Sequence, residues 1–217
     1  GWSHEGKSLQ ITTDGKIPHN DADAVIVATG LVPNSSMLGG MKKGCGGEVI
    51  VDEHMQTSVP GVYACGDVVG PPYLTPVARH QGIVAADNIL GIPRKMDCRF
   101  IPQSINLSQE LAFCITEKKN MASLAIPGPA GPGTFWSVPS NTTGLAKIFF
   151  ETEHGEIEGV CNAGPGSGLI TGYMAFLMRH HFSVHDFEEF VEIHPSTDGV
   201  SGLAKYASEL LKKRNSS

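Results

Sequence analysis

The sequence has no CxxC or CxxxxC pair, no G-x-G-x-x-G stretch, no apolar run of bilayer length and no basic cluster beyond Lys212-Lys213-Arg214. Each absence excludes something. Five cysteines (Cys45, Cys65, Cys98, Cys114, Cys161) stand far apart, so the sequence holds neither a redox dithiol nor thiol spacing for a metal. An odd number of scattered thiols suits a reducing cytoplasm, and Cys65 reads as strand packing. Without a glycine cradle leading into a helix, a dinucleotide pyrophosphate lacks its usual seat. The nearest glycine cluster, GPGSG at 164–168, has the wrong spacing. The longest nearly apolar run, 168–178, falls short of the roughly 20 residues that span a bilayer. The polar opening GWSHEGKSLQ is no signal peptide, and a net charge of −6 argues against nucleic acid as a partner.

What is present is a chain of 217 residues, 41% hydrophobic, enough for one large or two small domains. LQITTDGK, with a turn at Asp14-Gly15, precedes a run from Ala24 to Thr29 that predicts a buried strand. Short strands follow at 49–51 and 62–64, then a helix within 74–90 with Pro76 in its first turn and Gly91 beyond its end. After Lys95 the texture changes to antiparallel strands, the second pair turning at His154-Gly155. A domain boundary is expected near Cys98, giving units 1–97 and 98–217. The Pro/Gly-rich stretch 124–140 predicts a surface loop. SGLITGYMAFLMRHH is apolar on most sides, which implies a helix buried against a sheet and against something further, such as a second subunit. Ser183 and Asp186 stand at capping-box spacing for a helix with an apolar stripe of Phe187, Phe190 and Val191. A last helix, 201–213, should turn Leu203, Ala207, Leu210 and Leu211 inward. The fold class expected is α+β.

Asp67 closes an apolar run in TSVPGVYACGDVVG, flanked by Gly66 and Gly70. A carboxylate there can accept hydrogen bonds from a polyol, while the helix start at 74–77 offers unpaired N–H groups to an electron-rich ring edge. DAVIVATGLVPN at 24–35, this stretch, and LTPVARHQGIVAADNILG at 74–91 together resemble the second flavin-contact region of the pyridine nucleotide-disulfide oxidoreductases. That is the family of lipoamide dehydrogenase, glutathione reductase and mercuric reductase. KIFFETEHGEIEGVCNAGPGSGLI and EIHPSTDG resemble its interface domain and the segment bearing an active-site His-Pro, so the resemblance covers nearly the whole chain.

The resemblance, closest to the dihydrolipoamide dehydrogenase pattern, implies the C-terminal part of an FAD-binding domain followed by an antiparallel-sheet-plus-helices interface (dimerisation) domain. Asp67 would bind the ribityl chain of FAD. Gly66 would let the backbone approach, and Leu74 and Thr75 would place N–H groups at the flavin ring. Ala28, Thr29 and Gly30 would lie against the cofactor. His194, followed by Pro195, would handle a thiol proton at the partner's flavin. NAD or NADP would bind a missing N-terminal part, the homodimer would form through 98–217, and the acceptor would be a small-molecule disulfide. The expected fragment would have no catalysis alone. A family member reducing peroxide, oxygen or a metal ion, and a stand-alone dimerisation module, are the alternatives.

Two positions depart from the pattern. Gly199 stands where a Glu would orient the imidazole, with Asp198 and Glu192 near by at other offsets, and LSQELAF replaces an expected HPE. No metal is expected, because Ser183 separates His181 from His185 and no Cys or carboxylate falls at ligand spacing.

Overall fold

The computed structural model describes residues 2–5, 8–11, 24, 26–116, 118, 120–128, 144–193, 196 and 198–215. They fall into two compact units, Gly1–Met96 and Asp97–Ser217.

In the first unit β1 (Trp2–Glu5) and β2 (Ser8–Ile11) form an antiparallel ribbon. The Asp14-Gly15 turn lies outside the described residues. The run after Ala24, expected as a buried strand, is irregular instead, with Ile26 91% and Val27 72% exposed. A β-branched run becomes a strand only when a neighbour takes its hydrogen bonds and a second layer takes its side chains. Among the described residues no strand pairs with it. The expected strands at 49–51 and 62–64 also shrink to single bridges, Lys43 with Val49, Val51 with Thr57 and Gln56 with Tyr63. Asp52 Oδ1 accepts the N–H groups of His54 and Gln56 at 2.9 Å each, and this turn cuts the ladder short. Helix α1 (Thr75–Ile89) forms as expected, with Pro76 in its first turn and Gly91 past its end at φ 77°. Its buried side is Val77, Gln81, Val84 and Ala85, the last two packing on Met55.

The second unit is a five-stranded antiparallel sheet in the order β3-β4-β7-β6-β5. The strands are β3 (Gln103–Asn106), β4 (Glu110–Ile115), β5 (Met121–Gly128), β6 (Gly144–Glu151) and β7 (Ile157–Ala163). Residues 124–128, expected as loop, thus belong to β5, paired with β6 from Leu124↔Ile148 to Gly128↔Gly144. Phe135 and Trp136 lie outside the described residues. Helices α2 (Ser167–Arg179) and α3 (Val200–Asn215) pack on the face that carries Cys114, Ala146, Ile148, Phe150 and Val160. Ile148, Val160, Met174 and Met178 have no measurable exposure, and each such side chain contributes about 1.5–3 kcal/mol to folding. In the β6–β7 turn Gly155 sits at φ 74°, and a Cβ there would lie 2.9 Å from Val184 Cγ2 and 3.2 Å from Leu211 Cδ1. Only glycine fits both restraints.

The capping box of Ser183 and Asp186 forms, yet it opens only a short 3-10 turn, Val184–Glu189. Phe187 is buried, whereas Phe190 is 37% and Val191 87% exposed, so the expected stripe ends with the turn. In α3, Leu203, Ala207 and Leu211 face inward with Val200 and Ala204, but Leu210 is 37% exposed. The i, i+4 series from 203 to 211 holds the sheet, and 210 falls on its flank. Among the described residues no helix is long and apolar enough to cross a membrane.

Candidate functional site

Gly66–Val69 forms a 3-10 turn between Cys65 and Gly70. Its shape follows from glycine at both ends: Gly66 has φ 78° and Gly70 φ 94°, conformations that other residues rarely adopt. Gly70 is also buried, and a Cβ there would meet Glu48 Cβ at 3.2 Å. Two anchors hold the turn. Val49 N–H donates to the Val68 carbonyl at 2.9 Å, and Gly66 N–H donates to the buried Gln81 Oε1 at 2.7 Å. Asp67 therefore stands on a fixed turn at the surface. Its carboxylate is exposed and has no side-chain hydrogen bond or ion pair among the described residues.

From Gly70 the chain passes through Pro71-Pro72 to Leu74, the extended residue before α1. Leu74 N–H donates to the Pro72 carbonyl at 2.9 Å. Ala78 N–H is the first to bond back, to the Leu74 carbonyl at 3.0 Å. Pro76 has no N–H, so Thr75 and Val77 carry the open donors of the first turn, without a side-chain cap. Thr75, Ala28, Thr29 and Gly30 are all exposed. The Tyr73 hydroxyl donates to the Leu31 carbonyl at 3.4 Å, which ties the segment after Gly30 to the helix start. The structure thus gathers Gly66, Asp67, the α1 start and the end of the 28–31 segment within one unit. Cys65, expected in strand packing, is exposed because the strand before it does not form.

His194 and Pro195 lie outside the described residues. Leu169, Ile170 and Tyr173 of α2 with Phe190, Glu192, Ile193, Ser196 and Asp198 line a cleft of about 350 Å³. Tyr173 donates its hydroxyl to Asp198 Oδ2, and burial, reinforced by that carboxylate, raises the phenol well above its ordinary pKa. His180, His181 and His185 are drawn to separate partners. His180 meets the Phe176 ring, His181 contacts Glu156, and His185 Nδ1 lies 2.7 Å from Ser208 Oγ. Among the described residues no group of three metal-ligating side chains converges. Burial pushes the Cys114 thiol up to about 11, so it is a core residue without nucleophilic character.

Gln81 anchors the Gly66 turn and was not marked by the motifs. Its signal was a polar side chain at a core-facing helical position, in step with Val77, Val84 and Ala85.

A profile described as "Pyridine nucleotide-disulphide oxidoreductase" matches residues 3–82, which contain the Gly66-Asp67 turn and most of α1. Dihydrolipoyl dehydrogenase of Bacillus subtilis is 34% identical over 183 residues, 81% of this chain and 40% of that protein. Residues 3–82 match the pyridine nucleotide-disulphide oxidoreductase family. Mercuric reductase of Staphylococcus aureus, at 29% identity over 194 residues, extends the likeness to 84% of this chain and 35% of that one. Among solved structures, LpdA from Mycobacterium tuberculosis matches with a TM-score of 0.77 at 23% identity, covering 96% of this chain and 47% of its own. RclA, an HOCl-induced flavoprotein disulfide reductase from Escherichia coli, matches as its Cu(II) complex with a TM-score of 0.76 at 18% identity, covering 97% and 48%. Those two likenesses establish the family's α+β fold for both units. The chain spans under half the length of the curated relatives it matches.

Proposed function

We propose that this chain supplies the ribityl-binding carboxylate and part of the ring-edge contacts of an FAD site in a dimeric NAD(P)H:disulfide oxidoreductase of the dihydrolipoamide dehydrogenase type. One observation carries the reading. Within the family-matched stretch an unpaired, exposed carboxylate stands on a rigid double-glycine turn that packs against the uncapped start of α1. When bound, FAD would relay electrons between a nicotinamide and a disulfide. Asp67 would accept hydrogen bonds from the ribityl hydroxyls, and Thr75 and Val77 N–H groups would favour the electron-rich ring edge. Residues 28–30 would border the same site. His194 would serve as the acid-base group for a thiol proton.

The second unit supports a homodimer. On α2, Leu169 is 82% and Phe176 63% exposed, and they lie on one helical face with Tyr173. The five free cysteines fit a reducing cytoplasm. The same exposed face is what a non-catalytic dimerisation module would show, and flavin binding separates the two readings.

The test compares riboflavin with lumiflavin, which lacks the ribityl chain, by quenching of flavin fluorescence. A hydrogen bond to a charged group contributes about 1.5–3 kcal/mol, a ten- to hundredfold preference for riboflavin. That preference is expected in the wild-type chain and should vanish in Asp67→Ala. Equal affinity for both flavins, or none for either, would refute the reading.

A further inference from the structure

Both sides of the five-stranded sheet are apolar, and α2 and α3 cover one of them. Cys114, Ala146, Ile148 and Val160 point into the core beneath the two helices. Side chains alternate along a strand, so Phe113, Lys147 and Cys161 point to the opposite side. The register sets these three in one row, Phe113↔Cys161↔Lys147, across β4, β7 and β6. The rows next to it carry Leu111 with Leu145, and Ile115 with Phe149. Ile115 and Leu145 are each 43% exposed, and Phe113, Phe149 and Cys161 are half-buried. A strand with one side in water alternates apolar and polar residues. A continuous apolar run such as Leu111–Ile115 belongs to a strand covered on both sides.

One charge interrupts the three rows. The Lys147 ammonium lies 4.6 Å from the centroid of the Phe149 ring, and no carboxylate pairs with it among the described residues. An ammonium covered by a second layer needs an anion beside it, because its desolvation is costly. A second copy set on this side by a two-fold axis through the central row would bring Lys147 against its own equivalent. A helix is about 10 Å across, close to the span of three strands spaced about 4.8 Å apart. We propose that this side of the sheet is a docking surface for an amphipathic helix of another polypeptide, laid across β4, β7 and β6 with one carboxylate in its apolar stripe opposite Lys147. Phe113 and Phe149 supply the apolar floor, and Lys147 fixes the register and rejects basic helices.

The probe is a fluorescently labelled peptide of about 15 residues with leucines at helical spacing and one Glu inside the apolar stripe. Its twin carries Lys in place of that Glu. Binding to the full chain is followed by fluorescence anisotropy, and the site is located by amide NMR shifts. The Glu probe is expected to bind roughly tenfold or more tighter than the Lys probe. Lys147→Glu should reverse that order, and Lys147→Met should bind both probes alike. The amides of Phe113, Phe149 and Cys161 should shift, and those of α2 should not. No binding, equal affinity for the two probes in the wild type, a preference that survives Lys147→Glu, or shifts on α2 in place of the sheet would overturn the proposal. Self-association of the wild type that is lost in Phe149→Glu, read by sedimentation velocity, would assign the surface to a second copy and overturn it as well.

Discussion

Gln81→Leu is the sharpest single perturbation of the candidate flavin site. Gln81 is only 6% exposed, and its Oε1 is the acceptor for Gly66 N–H at 2.7 Å. Leucine has nearly the same volume and leaves no cavity, so the change isolates the hydrogen bond. A backbone donor stripped of its acceptor at a partly buried site costs about 1–3 kcal/mol. For a unit of this size each kcal/mol lowers Tm by about 4–8 °C, so a fall of roughly 4–24 °C is expected. Gln81→Glu keeps an oxygen at the same reach and should fall by less. Urea unfolding followed by circular dichroism measures the loss, and Gly66 amide exchange shows whether the turn opened. Because Asp67 is the next residue, the riboflavin preference should shrink with it. Stability within about 0.5 kcal/mol of wild type and an unchanged Gly66 exchange rate would show that Gln81 does not anchor the turn.

Two further outcomes are expected. The Lys212 ammonium, followed by the Ser208 hydroxyl, holds the Glu188 carboxylate down at about 2. A depressed carboxylate stabilises the folded state in full above its ordinary value, and that contribution is lost as pH falls toward 2. Between about pH 5 and pH 2 the wild-type Tm should therefore drop more than that of Lys212→Ala, and parallel curves would contradict the pairing. Phe176→Glu should convert the chain from dimer to monomer by sedimentation velocity, because a charge on that exposed apolar face cannot be desolvated without a partner. A wild-type chain that is already monomeric at micromolar concentration would remove the interface from α2.

Local chemistry determined much of this protein. Pro76 and Gly91 bracket α1, the β6–β7 hairpin turns at its glycine, and the spacing of Leu203, Ala207 and Leu211 orients α3. The Gly66-Asp67-Gly70 pattern was equally readable, because positive φ at two glycines is a property of the residues themselves. Tertiary structure decided what depends on distant partners. The run from Ala24 to Thr29 has strand composition but no described neighbour to pair with, and Ile26 and Val27 stay exposed. The Leu74 N–H meets the Pro72 carbonyl, a contact set by the path of the Pro71-Pro72 segment. Gln81 and Gly66, 15 residues apart, meet because α1 folds back over the turn. Asp198 could be weighed from sequence as a stand-in for the missing Glu, but Tyr173 and the α3 backbone claim both of its oxygens. Pattern in a chain reports which conformation each residue favours, whereas a hydrogen-bonding group can satisfy only a few partners, and which partners reach it first is settled by the packing of the whole unit.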